Sequence, residues 1–293
     1  MILSRPWALS RSRLVAVVAV AAIVVVVIGP EGAVRAAPGY ASPEAATVRP
    51  GAVTTSEVGQ CSANFVFSDG ADVFIGQAAH CTGTGGATAT NGCASGSRPL
   101  GTPVAVEGAT RAGVLAYSSW LTMQQVGETD PESCAFNDFA LVRLHPDDVA
   151  RTNPSVPSWG GPTGLAATTG AGEQVYGYGS SSLRLGLDVL SPKVGLSLGP
   201  SPGGWSHSVY ALSPGIPGDS GSGFMNGSGQ AFGVLSTLVV LPLPASNGVG
   251  DLGRALRYMY DHTDLDAVQL VPGDVAFDPN LLNLLPLDGL LSG

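Results

Sequence analysis

Positive charge is what this chain has least of. Its 293 residues hold 13 Lys plus Arg against 22 Asp plus Glu, a formal charge of −9, and Lys193 is the single lysine. A phosphate backbone is bound by a basic stripe, so this balance argues against a nucleic-acid partner. Charged residues of both signs reach only 12%, whereas 44% of the chain is hydrophobic, ample for a packed core. Histidine is scarce too: His80, His145, His207 and His262 are all there are. The four cysteines, Cys61, Cys81, Cys93 and Cys134, lack the paired C-x-x-C spacing of a zinc site. With no phosphate-cradling loop and no cluster of His, Cys and Asp ligands, the sequence calls for no cofactor and no metal. The longest apolar run, residues 14–28, is 15 residues long, short of the roughly 20 that span a bilayer.

That run has another use. Arg5, Arg11 and Arg13 precede it, Gly29-Pro30 follow it, and Val34 and Ala36 supply small residues, the layout of a secretory signal over residues 1–36 cleaved after Ala36. The mature chain is then extracellular, with a membrane association only if the segment stays uncleaved. In an oxidising compartment four cysteines imply two disulfides, and three connectivities are open. The 41 glycines and 22 prolines favour an all-β fold with many turns. Residues 37–57, rich in Ala, Pro, Thr and Gly, read as a flexible leader or short pro-segment. Strands are expected at 63–67 and 72–75, joined by a turn at Ser68-Asp69-Gly70-Ala71, and again at 103–107, 113–117 and 139–144. A Pro/Gly/Thr stretch at 150–171 reads as a linker. Further strands follow at 173–178, 187–194, 208–212, 223–225 and 231–240. The one long helical pattern is "DLGRALRYMYDH", capped by Asp251 and apolar at Leu252, Ala255, Leu256 and Met259. The expected division is a first β-barrel over 58–150, a second with the helix over 151–265, and a tail over 266–293.

Three motifs carry chemistry. His80 stands in "GQAAHC", directly after an apolar strand and before a cysteine that can pin it, as a general base requires. Asp138, in "NDFALVRL", enters an apolar strand that can carry its carboxylate inward. Ser220 lies in "PGIPGDSGSGF", a glycine-rich turn. Their order, His, Asp, Ser, is that of one acyl-transfer triad arrangement among several. His145, His207 and His262 read as surface or loop positions.

On these three motifs and the Cys61 to Cys81 spacing, the sequence resembles the chymotrypsin-like serine peptidases, in particular the secreted bacterial branch that includes the streptogrisins. The resemblance covers Cys61 to about Leu238 and the final helix. It implies an all-β fold of two antiparallel six-stranded β-barrels with one C-terminal helix, and a site in the cleft between them. It implies Ser220 as nucleophile, His80 as base, Asp138 as the group that orients the imidazole, and the N–H groups of Gly218 and Ser220 as the oxyanion hole. Asp219 is implied as structural support, paired with a buried cation; the family's usual stretch for that cation, here "VYGYGSSS", offers none, which leaves Arg184 and Arg151. The resemblance places Pro214 at the base of the primary substrate pocket and Ser236, Thr237 and Leu238 on its wall. No carboxylate lies between residues 211 and 217 to receive a basic side chain, so cleavage is expected after small or medium apolar residues of a polypeptide, by a monomer. The other readings are a non-catalytic binding protein on the same fold and an esterase-type acyl hydrolase.

Overall fold

The computed structural model describes residues 39–86, 89–167, 169–185, 187–239 and 246–284. The expected signal, residues 1–36, lies outside the described residues. The first half contains β1 (Val53–Ser56), β2 (Gly59–Ser62), β3 (Val66–Ser68), β4 (Val73–Gln77), β5 (Pro103–Val106), β6 (Gly113–Ser118), α1 (Ser119–Val126), α2 (Pro131–Phe136), β7 (Ala140–Arg143) and α3 (Pro146–Val149). The second contains β8 (Gly164–Leu165), β9 (Gln174–Tyr178), β10 (Pro192–Pro200), β11 (Ser206–Ala211), β12 (Gly223–Asn226), β13 (Gln230–Val239), β14 (Ser246–Asp251), α4 (Leu252–His262) and β15 (Gln269–Leu270). Among the described residues no helix is long and apolar enough to cross a membrane.

Both halves close into antiparallel barrels, the two-barrel chymotrypsin-like fold. In the first, β1 pairs with β2 and β5, and the ladder continues β5–β6–β7–β4–β3. β2 and β3 are two parts of one bent segment, which changes partner where the Ala63 N–H bonds to the Ala52 carbonyl and the Asn64 N–H to that of Gly76. That bend closes the ring. The β3–β4 turn forms because Asp69 Oδ1 accepts the N–H groups of Ala71 and Asp72 while Gly70 takes φ +85°. The second ring runs β9–β10–β11–β14–β13–β12 and back to β9, with β8 added in parallel beside β13. Each barrel has an aliphatic or aromatic filling: Val66, Ile75, Val104 and Val142 in one, Val175, Phe224, Phe232 and Val249 in the other. A third cluster joins Phe67, Phe139, Trp159, Tyr176 and Met225 with Leu252, Leu256 and Met259 of α4. It welds the barrels to each other and to the helix, whose buried face is the one its apolar spacing indicates.

Several expectations need correction. The leader is not flexible over the part described: Ala46, Val48 and Ala52 are buried, and β1 is the stave that closes the first ring between β2 and β5. The barrel therefore starts at Val53, because strand pairing uses backbone groups that a Thr-rich segment supplies as well as any. The stretch 187–190 contains a 3-10 turn at Asp188–Leu190, and the strand begins only at Pro192. α1 and α2 lie between the expected strands at 113–117 and 139–144, where no element was expected, and β14 lies between the expected strand at 231–240 and the helix. The tail is bound over its described part: β15 pairs with β3, Val268 is buried, and Phe277 meets the Tyr176 ring edge-on. The linker carries a fully buried Trp159, whose Nε1–H donates to the Gly177 carbonyl at 2.8 Å.

The bound leader predicts a measurable penalty. Val48 is 0% exposed, so Val48→Ala should cost about 1.5–3 kcal/mol of stability, read from the urea midpoint. A flexible leader would show no change.

Candidate active site

His80 sits in a 3-10 turn, Ala79–Thr82, immediately after β4. The Cys61–Cys81 disulfide ties this turn to β2 and the Cys93–Cys134 disulfide ties the following loop to α2, which settles the connectivity. Asp138 precedes β7, and its flanks are gripped by Ser119, whose Oγ accepts the Phe139 N–H at 3.0 Å and donates to the Asn137 carbonyl at 2.7 Å. So positioned, Asp138 Oδ1 accepts the His80 backbone N–H at 2.9 Å and Oδ2 accepts the Nδ1–H of its ring at 2.6 Å. Nδ1 is therefore the protonated nitrogen, and Nε2 is left with its lone pair. A third donor, Ser236 Oγ–H, reaches Oδ2 at 2.5 Å. It can do so because Ser236 is the extra residue of a bulge in β13, between the pairs Leu235–Val249 and Thr237–Gly248.

The electrostatics follow from these contacts. Burial alone would lift the Asp138 carboxyl, but the imidazole and the Ser236 and His80 donors more than offset it and hold it below the ordinary carboxylate range. Burial pulls the His80 pKa down, and the adjacent Asp138 charge and hydrogen bond outweigh it, leaving the imidazole above its usual 6.5. His80 also lies within 4.8 Å of both sulfurs of Cys61 and Cys81. Those sulfurs are bonded to each other, so the trio offers one ligand and fits no metal ion.

The loop that carries Ser220 is brought against the segment before His80 by its neighbour Gly221. Gly221 has φ +87°, and a Cβ there would lie 2.5 Å from the Ser62 carbonyl oxygen and 2.8 Å from the Ala78 nitrogen. Only glycine allows the loop so close to the segment before His80. The Ser62 N–H holds the Ser220 carbonyl at 2.7 Å, and Asn64 Nδ2 holds that of Gly221 at 3.1 Å. Within the loop, the N–H groups of Asp219 and Gly221 have carbonyl acceptors, Ile216 and Leu235. The N–H groups of Gly218 and Ser220 have none among the described residues. Among the described residues, two donors without an acceptor thus flank Asp219.

Asp219 itself is fully buried and doubly paired. Arg184 grips both of its oxygens, with Nη2 to Oδ2 at 2.6 Å, and Lys193 Nζ reaches Oδ2 at 2.8 Å. Of the two arginines expected as partners Arg184 is the one that arrives, while Arg151 is exposed. The second cation, the chain's sole lysine, was not anticipated. Burial opposes ionisation of Asp219, yet the two cations and their hydrogen bonds hold its carboxyl below the usual range. Burial also lowers Lys193, with Asp219 pulling the other way.

Of the expected pocket residues, Pro214, Ser236 and Thr237 are partly buried, and the Leu238 side chain lies outside the described residues. Ser236 is engaged with Asp138 rather than free. Beside Pro214, the Gly215 N–H is taken by Oδ1 of the buried Asn247 on β14 at 2.8 Å, a residue that no sequence motif singled out. Among the other histidines, His145 caps α3 and His262 is exposed, but His207 is not a surface residue. It is 3% exposed on β11, bonded through Nε2 to Asp251 at 2.9 Å and edge-on to Phe232. Asp251 keeps its capping role, since Oδ1 accepts the Arg254 N–H at 2.8 Å.

The trio around Asp219 makes a stability prediction. Asp219→Ala leaves two buried cations facing each other and should cost about 3–5 kcal/mol by chemical denaturation. In the intact protein, because the folded carboxyl is depressed, its contribution is present above the unfolded pKa and should fade as pH falls through the folded one.

No family model matches the chain, and no curated protein matches it. Solved structures do. The chain is 19% identical to Thermobifida fusca protease A, with 78% of this chain and 100% of that one covered and a TM-score of 0.48. A glutamic acid-specific serine protease, which uses a histidine triad in substrate binding, is 17% identical over 76% of this chain and 100% of its own, with a TM-score of 0.49. Cellulomonas bogoriensis chymotrypsin is 17% identical over 76% and 98%, with a TM-score of 0.45. It is to bacterial chymotrypsin-like serine proteases that the chain is similar.

Proposed function

We propose that this protein is an exported serine endopeptidase that cleaves polypeptides through Ser220, His80 and Asp138. The observation that carries the reading is an Nδ1-protonated His80 anchored on Asp138, with a loop packed against the segment before it whose Gly218 and Ser220 N–H groups have no acceptor among the described residues. Ser220 Oγ attacks the substrate carbonyl carbon as His80 Nε2 takes its proton. Asp138 holds the tautomer and stabilises the imidazolium, and the two N–H groups receive the negative charge that develops on the carbonyl oxygen. The acyl-enzyme forms as His80 returns the proton to the leaving amine, and water then repeats the sequence. Asp219 takes no part in proton transfer; it holds the loop.

Specificity is read from the pocket's chemistry. With no carboxylate between residues 211 and 217 and with Asn247 beside Gly215, the pocket suits small or medium apolar side chains. Export follows from the signal layout of residues 1–36 and accords with the two disulfides.

The direct test is fluorophosphonate labelling of the chain from Ala37, with mass-spectrometric location of the adduct. An adduct on Ser220, absent in Ser220→Ala, is the expected result; no adduct on folded, oxidised protein overturns the reading. The pH profile adds a second check. Since His80 must be neutral to accept a proton and its folded pKa lies above 6.5, kcat/KM should rise with pH through a midpoint above that value. Asp138→Asn should lose about 10⁴-fold in kcat.

A further inference from the structure

The oxyanion hole assigned above depends on a peptide that glycine leaves free to turn. In the unit between Pro217 and Gly218, the Pro217 C=O and the Gly218 N–H are fixed antiparallel by the planar trans peptide bond. Whatever holds the carbonyl therefore aims the N–H. The holder is Ser181: its Oγ–H donates to the Pro217 carbonyl at 2.5 Å. Ser181 is 6% exposed and lies flush against Gly218, where a Cβ would meet its Cα and Cβ at 3.2 Å. Its own position is fixed, because the Ser181 Oγ also accepts the Leu183 N–H at 3.2 Å and so caps the turn that delivers Arg184 to Asp219. On the other side of Gly218 the next peptide is held in the same manner from the first barrel, its carbonyl accepting from Ser62 Oγ at 2.8 Å.

We infer that Ser181 is a positioning residue for transition-state stabilisation, its hydroxyl locking the Pro217–Gly218 peptide with the N–H toward the developing oxyanion. Gly218 sits at φ +99° without a side chain to resist rotation. Once the Ser181 bond is lost, the peptide can turn its carbonyl toward the substrate oxygen, replacing a donor with a repelling dipole. The effect falls on the transition state, because the ground-state substrate makes far less use of that donor. The inference rests on the proposed peptidase reading of the site.

The test compares wild type, Ser181→Ala and Ser181→Thr on a peptide anilide, with a peptide boronic acid as tetrahedral mimic and a product peptide as ground-state ligand. The expectation for Ser181→Ala is a kcat lowered about 10- to 100-fold, part of what losing an oxyanion donor costs, with KM within about twofold. Boronate affinity should fall in proportion to kcat/KM while product affinity is unchanged, and Ser181→Thr, which keeps the hydroxyl, should recover most of the rate. Wild-type kcat in Ser181→Ala overturns the inference. So does a loss shared equally by boronate and product binding, or by Ser181→Thr, which would mark a general collapse. A wild type that neither turns over nor acylates overturns the peptidase reading as well, so the two failures are told apart.

Discussion

The fold turns on one buried carboxylate. Asp219 has no access to water, and an isolated charge there would be too costly to keep. Its stabilisation comes from three segments at once: the turn at Ser182–Arg184, Lys193 on β10, and the Ile216 N–H, which reaches Oδ2 at 3.0 Å. Satisfying the charge therefore gathers those segments around the loop that carries Ser220. The arrangement has its own tension, since two cations share one anion and the pair of cations repel. Arg184 eases this by donating also to the Gly179 carbonyl at 3.1 Å, and Lys193 bears the desolvation in a lowered pKa.

The loop so anchored in the second barrel is read out by the first. Ser62, Asn64 and Ala78 belong to β2, its bend and the residue just after β4, and they meet the carbonyls of Gly218, Ser220 and Gly221 and the bare Cα of Gly221. The same strands carry Cys61 and lead to His80. Barrel closure and alignment of the site are thus one event: the bent β2–β3 segment that completes the first ring also presents its inner edge to the loop of the second. The hydrophobic cluster from Phe67 through Trp159 to Met259 supplies the adhesion, and the polar contacts supply the register.

What the sequence disclosed depended on whether a feature is local. The pairing of His80 with Asp138 was legible because each sits beside a strand end, and glycine at 218 and 221 is a backbone requirement visible in the sequence. The α4 stripe was legible from its spacing. Lys193 was not, since a lysine in "SPKVGL" has nothing nearby to mark it as buried; its partner is 26 residues away. β1 and β14 were missed for a related reason, being strands whose place is secured by backbone pairing on both sides and not by apolar alternation. His207 could have been found: it alternates with Val209 and Ala211 on β11, and all three face inward.

The burial of Lys193 also gives the molecule an unusual surface. With its sole lysine fully enclosed, the folded chain presents no ε-amine to solvent, so amine-directed reagents and lysine crosslinkers find only the terminal amine. Nor can a lysine-specific protease nick it while folded. The buried ammonium becomes a built-in reporter: its reactivity appears only when the packing around Asp219 opens, and the rate of that modification measures how often the Asp219 loop comes apart.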